Sequence, residues 1–240
     1  MEKEFHKQDW SVQRIPFSEI KEWVLYKHYA HRVPPVSFAF GLYDKDGILQ
    51  GICTYGHPLS STLKNIFGSE YADRLLELNR LVVNDGLPRN ALSYFVTRTF
   101  SYLPTPTPLV SYADTARDHH GYIYQATNWW YTGLSAEFED YVVKGLEHLH
   151  NTTIGDRIGR ADKAGHGISH VAMLREVYGD ENVYLRKRSR KHRYFYFLGN
   201  KRQKRQMMSL LPYKIEPYPK GDNIRYDASY KPTPNGVLFK

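Results

Sequence analysis

The sequence predicts an α/β fold, a mixed sheet flanked by helices with a basic C-terminal extension, and three observations lead there. Apolar runs with a period of two are interleaved with runs of helical spacing, each bounded by Gly, Pro, Asn or Asp. The 240 residues are 41% hydrophobic and 24% charged, which suits a globular chain with one well-packed core. The net charge of +8 is spread unevenly: residues 1–150 hold 14 Lys and Arg against 17 Asp and Glu, whereas residues 151–240 hold 19 against 8. The expected organisation is a core over 1–150 and a basic extension over 151–240, packed together as a single structural unit.

Taken in order, Pro16-Phe17-Ser18 opens a helix with Ser18 as its N-cap. Ile20, Trp23, Val24 and His28 follow the i, i+3, i+4, i+8 spacing of a buried face, and Pro34-Pro35 requires the helix to end near His31. Strands over 37–43 and 48–55 flank the turn Asp44-Lys45-Asp46-Gly47 and form a hairpin. Residues 57–73 are irregular or weakly helical, and 75–83 end in β-formers and form a strand. Pro88 opens a helix to about Tyr102, closed by Pro104, Pro106 and Pro108. A strand over 109–113 ends at Asp114; a loop, a short helix over 122–127 and a strand over 129–134 follow. Farther on, a helix is expected over 166–177, strands over 183–188 and 194–198, and a basic helix over 201–210 after the Gly199-Asn200 turn. The last thirty residues form a tail against the body. This order of elements is similar to that of the GNAT fold, so the sheet is expected to be a GNAT-like mixed sheet flanked by helices.

Composition narrows the function. Cys53 is the only cysteine, which excludes an internal disulfide and a cysteine-based zinc site. No apolar run approaches the roughly 20 residues that span a bilayer, and the N-terminus is too polar for a signal peptide. A cytoplasmic protein without a membrane partner is expected. Ten basic residues and no acid lie between Arg186 and Arg205, interleaved with aromatics. Arg186, Lys187, Arg188, Arg190, Lys191 and Arg193, then Lys201, Arg202, Lys204 and Arg205, are therefore expected to grip backbone phosphates. A solvated basic surface is the alternative.

Several segments taken together resemble one family. They are Glu77-Leu78-Asn79-Arg80-Leu81, Pro88-Arg89-Asn90-Ala91-Leu92-Ser93, Val110-Ser111-Tyr112-Ala113-Asp114, and the run from Gly121 through Tyr124 to Trp129 with Tyr131-Thr132-Gly133. His28-Tyr29 and Lys191-His192-Arg193-Tyr194 fit the same pattern. The combination resembles the phage Mom proteins. The resemblance implies a GNAT-like catalytic core and a DNA-modifying transferase. Such an enzyme adds a carbamoylmethyl or acyl-like group to the exocyclic amine of adenine in double-stranded DNA and protects phage DNA from restriction. By position it implies His28, Tyr29, Arg80, Ser93, Asp114 and Tyr124 as functional residues, an acyl-CoA or related donor, and possible involvement of iron. One departure stands out. The Arg/Gln-x-x-Gly-x-Gly/Ala loop by which GNAT enzymes cradle the pyrophosphate of CoA has no match in Asn84-Asp85-Gly86-Leu87-Pro88-Arg89-Asn90-Ala91. The helix N-terminus here, with Arg89, Asn90 and Ser93, still offers amides to an anion. An acyltransferase acting on another amine and a non-catalytic DNA-binding protein remain alternative readings.

Each candidate also has a structural role open to it. Arg80 is an anion clamp or the partner of Glu77. Ser93 donates to a bound phosphate or to its own backbone. Asp114 is a general base or metal ligand, or the N-cap of the following loop. His28 is a core histidine or, with Tyr29 and Asp114, an iron ligand. Tyr124 and Tyr122 are expected to face a pocket that holds an extruded base, with Trp129 buried.

Overall fold

The computed structural model describes residues 4–147, 149, 151–159 and 169–221. The chain divides into two compact units, one drawn from the segments up to Leu134 and from Lys191 onward, the other from Ser135–Arg190. The division expected at residue 150 therefore falls elsewhere, because residues 191–198, in the middle of the basic run, supply a strand to the main sheet and the second unit is an insertion.

The first unit is built on seven strands: β1 (Ser11–Arg14), β2 (Phe38–Tyr43), β3 (Leu49–Gly56), β4 (Leu76–Val83), β5 (Thr107–Asp114), β6 (Trp130–Leu134) and β9 (Lys191–Leu198), in the order β1-β2-β3-β4-β5-β9-β6. Its helices are α1 (Phe17–Glu22), α2 (Ser61–Lys64), α3 (Ala91–Thr99), α4 (Tyr122–Ala126) and α7 (Lys201–Leu210). The predicted mixed sheet with flanking helices is present. The β2–β3 hairpin forms because Asp44 Oδ1 accepts from the amides of Asp46 and Ile48 while Gly47 takes φ +73°. Pro16 rather than Ser18 occupies the N-cap of α1. The helix then widens into a π turn over Trp23–Lys27, with the His28 amide donating to the Trp23 carbonyl at 2.9 Å. Ile20, Trp23, Val24 and His28 are buried as their spacing predicted.

Alternation sorts the strand residues onto two faces. Phe40, Tyr55, Leu78, Leu109 and Tyr194 pack with Phe95 of α3 and Tyr124 of α4. On the other face, Ile52 and Val82 meet Ile20, Trp23 and Val24, while Val110, Phe195 and Phe197 meet Phe67, Tyr71 and Met207 of α7. β9, hydrogen-bonded to β5 and β6, is covered on both sides, so Tyr194 and Phe195 are both fully buried.

Two irregularities shape the middle of the sheet. β4 and β5 are parallel, and their ladder covers only Leu76–Leu78 against Leu109–Ser111. Just beyond, β4 bulges: Tyr55 faces Leu78 and Thr54 faces Arg80, which leaves Asn79 as the extra residue. Asn79 fixes the bulge by accepting from Thr54 Oγ1 (2.6 Å) and donating to the Pro35 carbonyl (2.7 Å). Gly56 allows that approach, since a Cβ there would lie 2.0 Å from the Pro35 oxygen. A gap thus opens between the C-terminal ends of β4 and β5.

The inserted unit pairs β7 (Glu139–Val143) with β8 (Val183–Lys187) in an antiparallel ribbon beside α5 (Asn151–Arg157) and α6 (His170–Tyr178). Val143, Ile154, Met173, Leu174 and Val183 make its core. The helix expected over 166–177 is described from His170 onward. Residues 222–240 of the expected tail lie outside the described residues.

Candidate active site

The gap between β4 and β5 gathers most of the candidates. Asp114 is the last residue of β5, and alternation places it on the face opposite Leu109 and Ala113. Arg80, on the far side of the β4 bulge, shares that face with Val82. His28 and Tyr29 follow the π turn that ends the first helix, and their rings stack at 4.3 Å. Arg117 lies over the Tyr29 ring at 5.3 Å and His119 meets its edge at 6.1 Å, both from the loop after Asp114.

Charges complete the cluster. Asp114 Oδ1 accepts from the Ala116 amide at 3.0 Å, and Oδ2 is 3.9 Å from Lys191 Nζ. The cap and the functional reading of Asp114 are therefore compatible, because one oxygen serves the turn and the carboxylate remains 15% exposed. Arg80 does not pair with Glu77. Its Nη1 and Nη2 donate to the carbonyls of Asn79 (2.6 Å), the bulged residue, and Arg32 (3.0 Å), in the segment before β2. Arg80 Nε, buried, has no hydrogen-bond partner among the described residues. Burial, reinforced by the cations Arg80 and Lys191 and by neighbouring histidines, pushes His28 down to about 2. The imidazole is neutral at any physiological pH. Its Nδ1 accepts from the Ala30 amide at 3.1 Å, which leaves the ring proton on Nε2. Burial and then the nearby Asp114 raise Tyr29, and burial raises the half-buried Glu77.

Tyr124 approaches from the other face. Ser111 Oγ lies 2.7 Å from both the Leu78 carbonyl and the Tyr124 hydroxyl, at the point where the β4–β5 ladder ends. The carbonyl accepts the single serine proton, so the phenol donates to Ser111. The Tyr124 ring is buried against Trp129 and Tyr194, whereas Tyr122 is 63% exposed. Trp129 is buried as expected.

The model of the Mom protein family matches residues 9–220. The chain belongs to the Mom protein family. A member from Escherichia phage Mu, methylcarbamoylase mom, is 29% identical over 208 residues, covering 81% of this chain and 77% of that one. Similar solved structures include a GNAT-family acetyltransferase from Bacillus cereus, with TM-score 0.40, 9% identity, and 80% of this chain and 99% of that chain covered. Another is the spermidine N-acetyltransferase of Vibrio cholerae in complex with CoA and spermine, with TM-score 0.41, 8% identity, and 80% and 97% covered.

For this Mom family member, an iron site built from His28, Tyr29 and Asp114 does not fit the geometry. His28 Nδ1 accepts from a backbone amide, Asp114 is shared between an amide and a lysine, and the cations Arg80 and Lys191 already set positive charge against His28. Among the described residues, no three His, Cys, Asp or Glu side chains converge as ligands. At the start of α3, Arg89 and Asn90 are exposed, Asn90 is left-handed at φ +77°, and Ser93 Oγ donates to the Asn90 carbonyl at 3.0 Å.

Two of the basic residues assigned to the phosphate grip turn inward. Lys191 meets Asp114. Arg193 donates from Nε and Nη2 to Thr132 Oγ1 and the Thr132 carbonyl, both at 2.9 Å, and lies 3.4 Å over the Tyr213 ring. Both sit on β9 at even spacing from Phe195 and Phe197, so alternation alone carried the signal. Arg190 donates to the Ser135 carbonyl at 2.7 Å. Arg186, Lys187 and Arg188, with Lys201, Arg202, Lys204 and Arg205 of α7, are exposed. No helix of the described chain is long and apolar enough to cross a membrane.

Proposed function

We propose that this protein is a transferase that places a carbamoylmethyl or related acyl-type group on the exocyclic amine of adenine in double-stranded DNA, and so shields phage DNA from restriction. The observation that carries this reading is the convergence of Asp114, neutral His28, Tyr29 and Arg80 at the gap between β4 and β5. The Asp114 carboxylate takes the proton released as the amine nitrogen bonds to the transferred carbon. Arg80, held by two carbonyls, keeps its Nε–H for an oxygen of that group. Tyr124, whose proton is held by Ser111, backs the foot of the gap, and the donor's leaving atom departs with the electrons of its broken bond. Arg89, Asn90 and Ser93 at the start of α3 are the proposed contacts for phosphates of an acyl-CoA or related donor. The exposed cations of β8 and α7 hold the DNA backbone. The experiment is to express the protein in bacteria, digest total DNA to nucleosides and weigh them. A new adenosine-derived mass that vanishes with Asp114→Asn supports the reading; acylated RNA or protein with unaltered DNA refutes it.

A further inference from the structure

Tyr122 is the most exposed aromatic side chain among the described residues, at 63%, and its mount is rigid. The carbonyl of His120 accepts from the buried Tyr194 hydroxyl and from Gln125 Nε2. Gly121 is left-handed at φ +73° and lies so close to the Tyr194 ring that a Cβ would come within 2.5 Å of it. Tyr122 then opens α4, whose next turn buries Tyr124 against Ser111. The same loop brings Arg117 and His119 to Tyr29, and Tyr122 follows His119 by only three residues. Its side chain has no hydrogen-bond or ring partner among the described residues.

A single exposed aromatic is ordinary on any surface. A firmly mounted one beside a site that acts on a base has a specific use. Drawing an adenine out of a duplex leaves its neighbours unstacked, and a planar side chain that fills the vacancy recovers stacking. We propose that Tyr122 enters the base stack at the place the extruded adenine leaves, and so holds the base in the site rather than contacting its reacting atoms. This rests on the reading of DNA as substrate. The phenol ring is the working part, so its hydroxyl is dispensable.

The test compares wild type with Tyr122→Ala, Tyr122→Phe and Tyr122→Trp by nucleoside mass in DNA from expressing cells. It adds fluorescence of 2-aminopurine set at each adenine of a duplex in turn, read as purified protein binds. The alanine variant is expected to lose modified adenosine roughly tenfold or more, as removal of one aromatic stacking partner implies. It should also lose the fluorescence rise while melting at the wild-type temperature; Phe and Trp retain both signals. Undiminished modification by the alanine variant overturns the inference alone, as does a Phe variant as defective as Ala. Wild-type protein that yields no altered adenosine overturns the reading beneath it as well.

Discussion

The Asp114 carboxylate serves the turn with one oxygen and the Lys191 ammonium with the other, and two substitutions separate these roles. Asn keeps an oxygen for the Ala116 amide but removes the charge; Ala removes both. Modified adenosine should disappear in both variants. Only Asp114→Ala should lose a cap's worth of stability, about 1 kcal/mol, seen as a melting temperature lower by roughly 2–4 °C. Equal activity of the Asn variant and wild type would reduce Asp114 to a cap. His28 gives a second prediction, from acid. Its folded pKa is pushed down to about 2 from 6.5, so the unfolded chain binds the proton first as pH falls. The neutral histidine's contribution is complete above about pH 6.5. It declines below that by up to about 1.4 kcal/mol per pH unit. Burial lowers His192 with the same sign. Thermal melts from pH 7 to 5 should therefore fall steeply for wild type and less steeply for His28→Asn, whose Oδ1 can accept the Ala30 amide in place of Nδ1.

Among the elements, α7 is electrostatically set against itself. Lys201, Arg202, Lys204 and Arg205 crowd its first turns with like charges at i, i+3 and i+4, at the end where the helix dipole favours anions. The Asn200–Gln203 capping box and Met207, buried on the sheet, hold the helix in place despite them. Replacing all four by Gln should leave the melting temperature unchanged or raise it. It should also flatten the salt dependence of DNA binding by about 0.9 in slope for each phosphate no longer neutralised. Arg193→Gln, by contrast, should destabilise the fold by severing its bonds to Thr132 and its stacking on Tyr213, and leave the slope alone; a steep slope retained by the fourfold variant would remove α7 from the DNA interface. These contrasts also mark what the sequence made legible. The bounds of α7, the β2–β3 hairpin and the end of β5 at Asp114 follow from local signals: a cap, a turn, a change of period. β1 escaped because it has four residues and buries only Val12. The bulge at Asn79 escaped because it is a property of β4 paired with β3, and no single strand encodes it. Arg80's carbonyl partners and Lys191's place beside Asp114 depend on those same long-range pairings.

For the whole molecule, the consequential feature is where the inserted unit leaves and rejoins the sheet. Leu134 ends β6 and Lys191 begins β9, and Leu134 stands opposite His192 in the β6–β9 ladder. Fifty-six residues, Ser135–Arg190, thus bridge a distance that a hairpin turn covers in about two to five residues. The inserted unit has its own core around Val143, Ile154, Met173 and Leu174, so removing it exposes no apolar face from that core. The seven-stranded sheet keeps every strand, because among the described residues β7 and β8 pair only with each other. Replacing Ser135–Arg190 by a short Asn-Gly turn should therefore give a soluble chain that unfolds cooperatively and retains the β-sheet signal in circular dichroism. Its DNA affinity should fall and its salt slope should shrink through loss of Arg186, Lys187 and Arg188, while the contribution of α7 persists. A shortened chain that aggregates or melts without cooperativity would mean the sheet needs the insertion to fold. One that binds DNA with the full wild-type slope would place the whole grip on α7 and leave the inserted ribbon without a share in it.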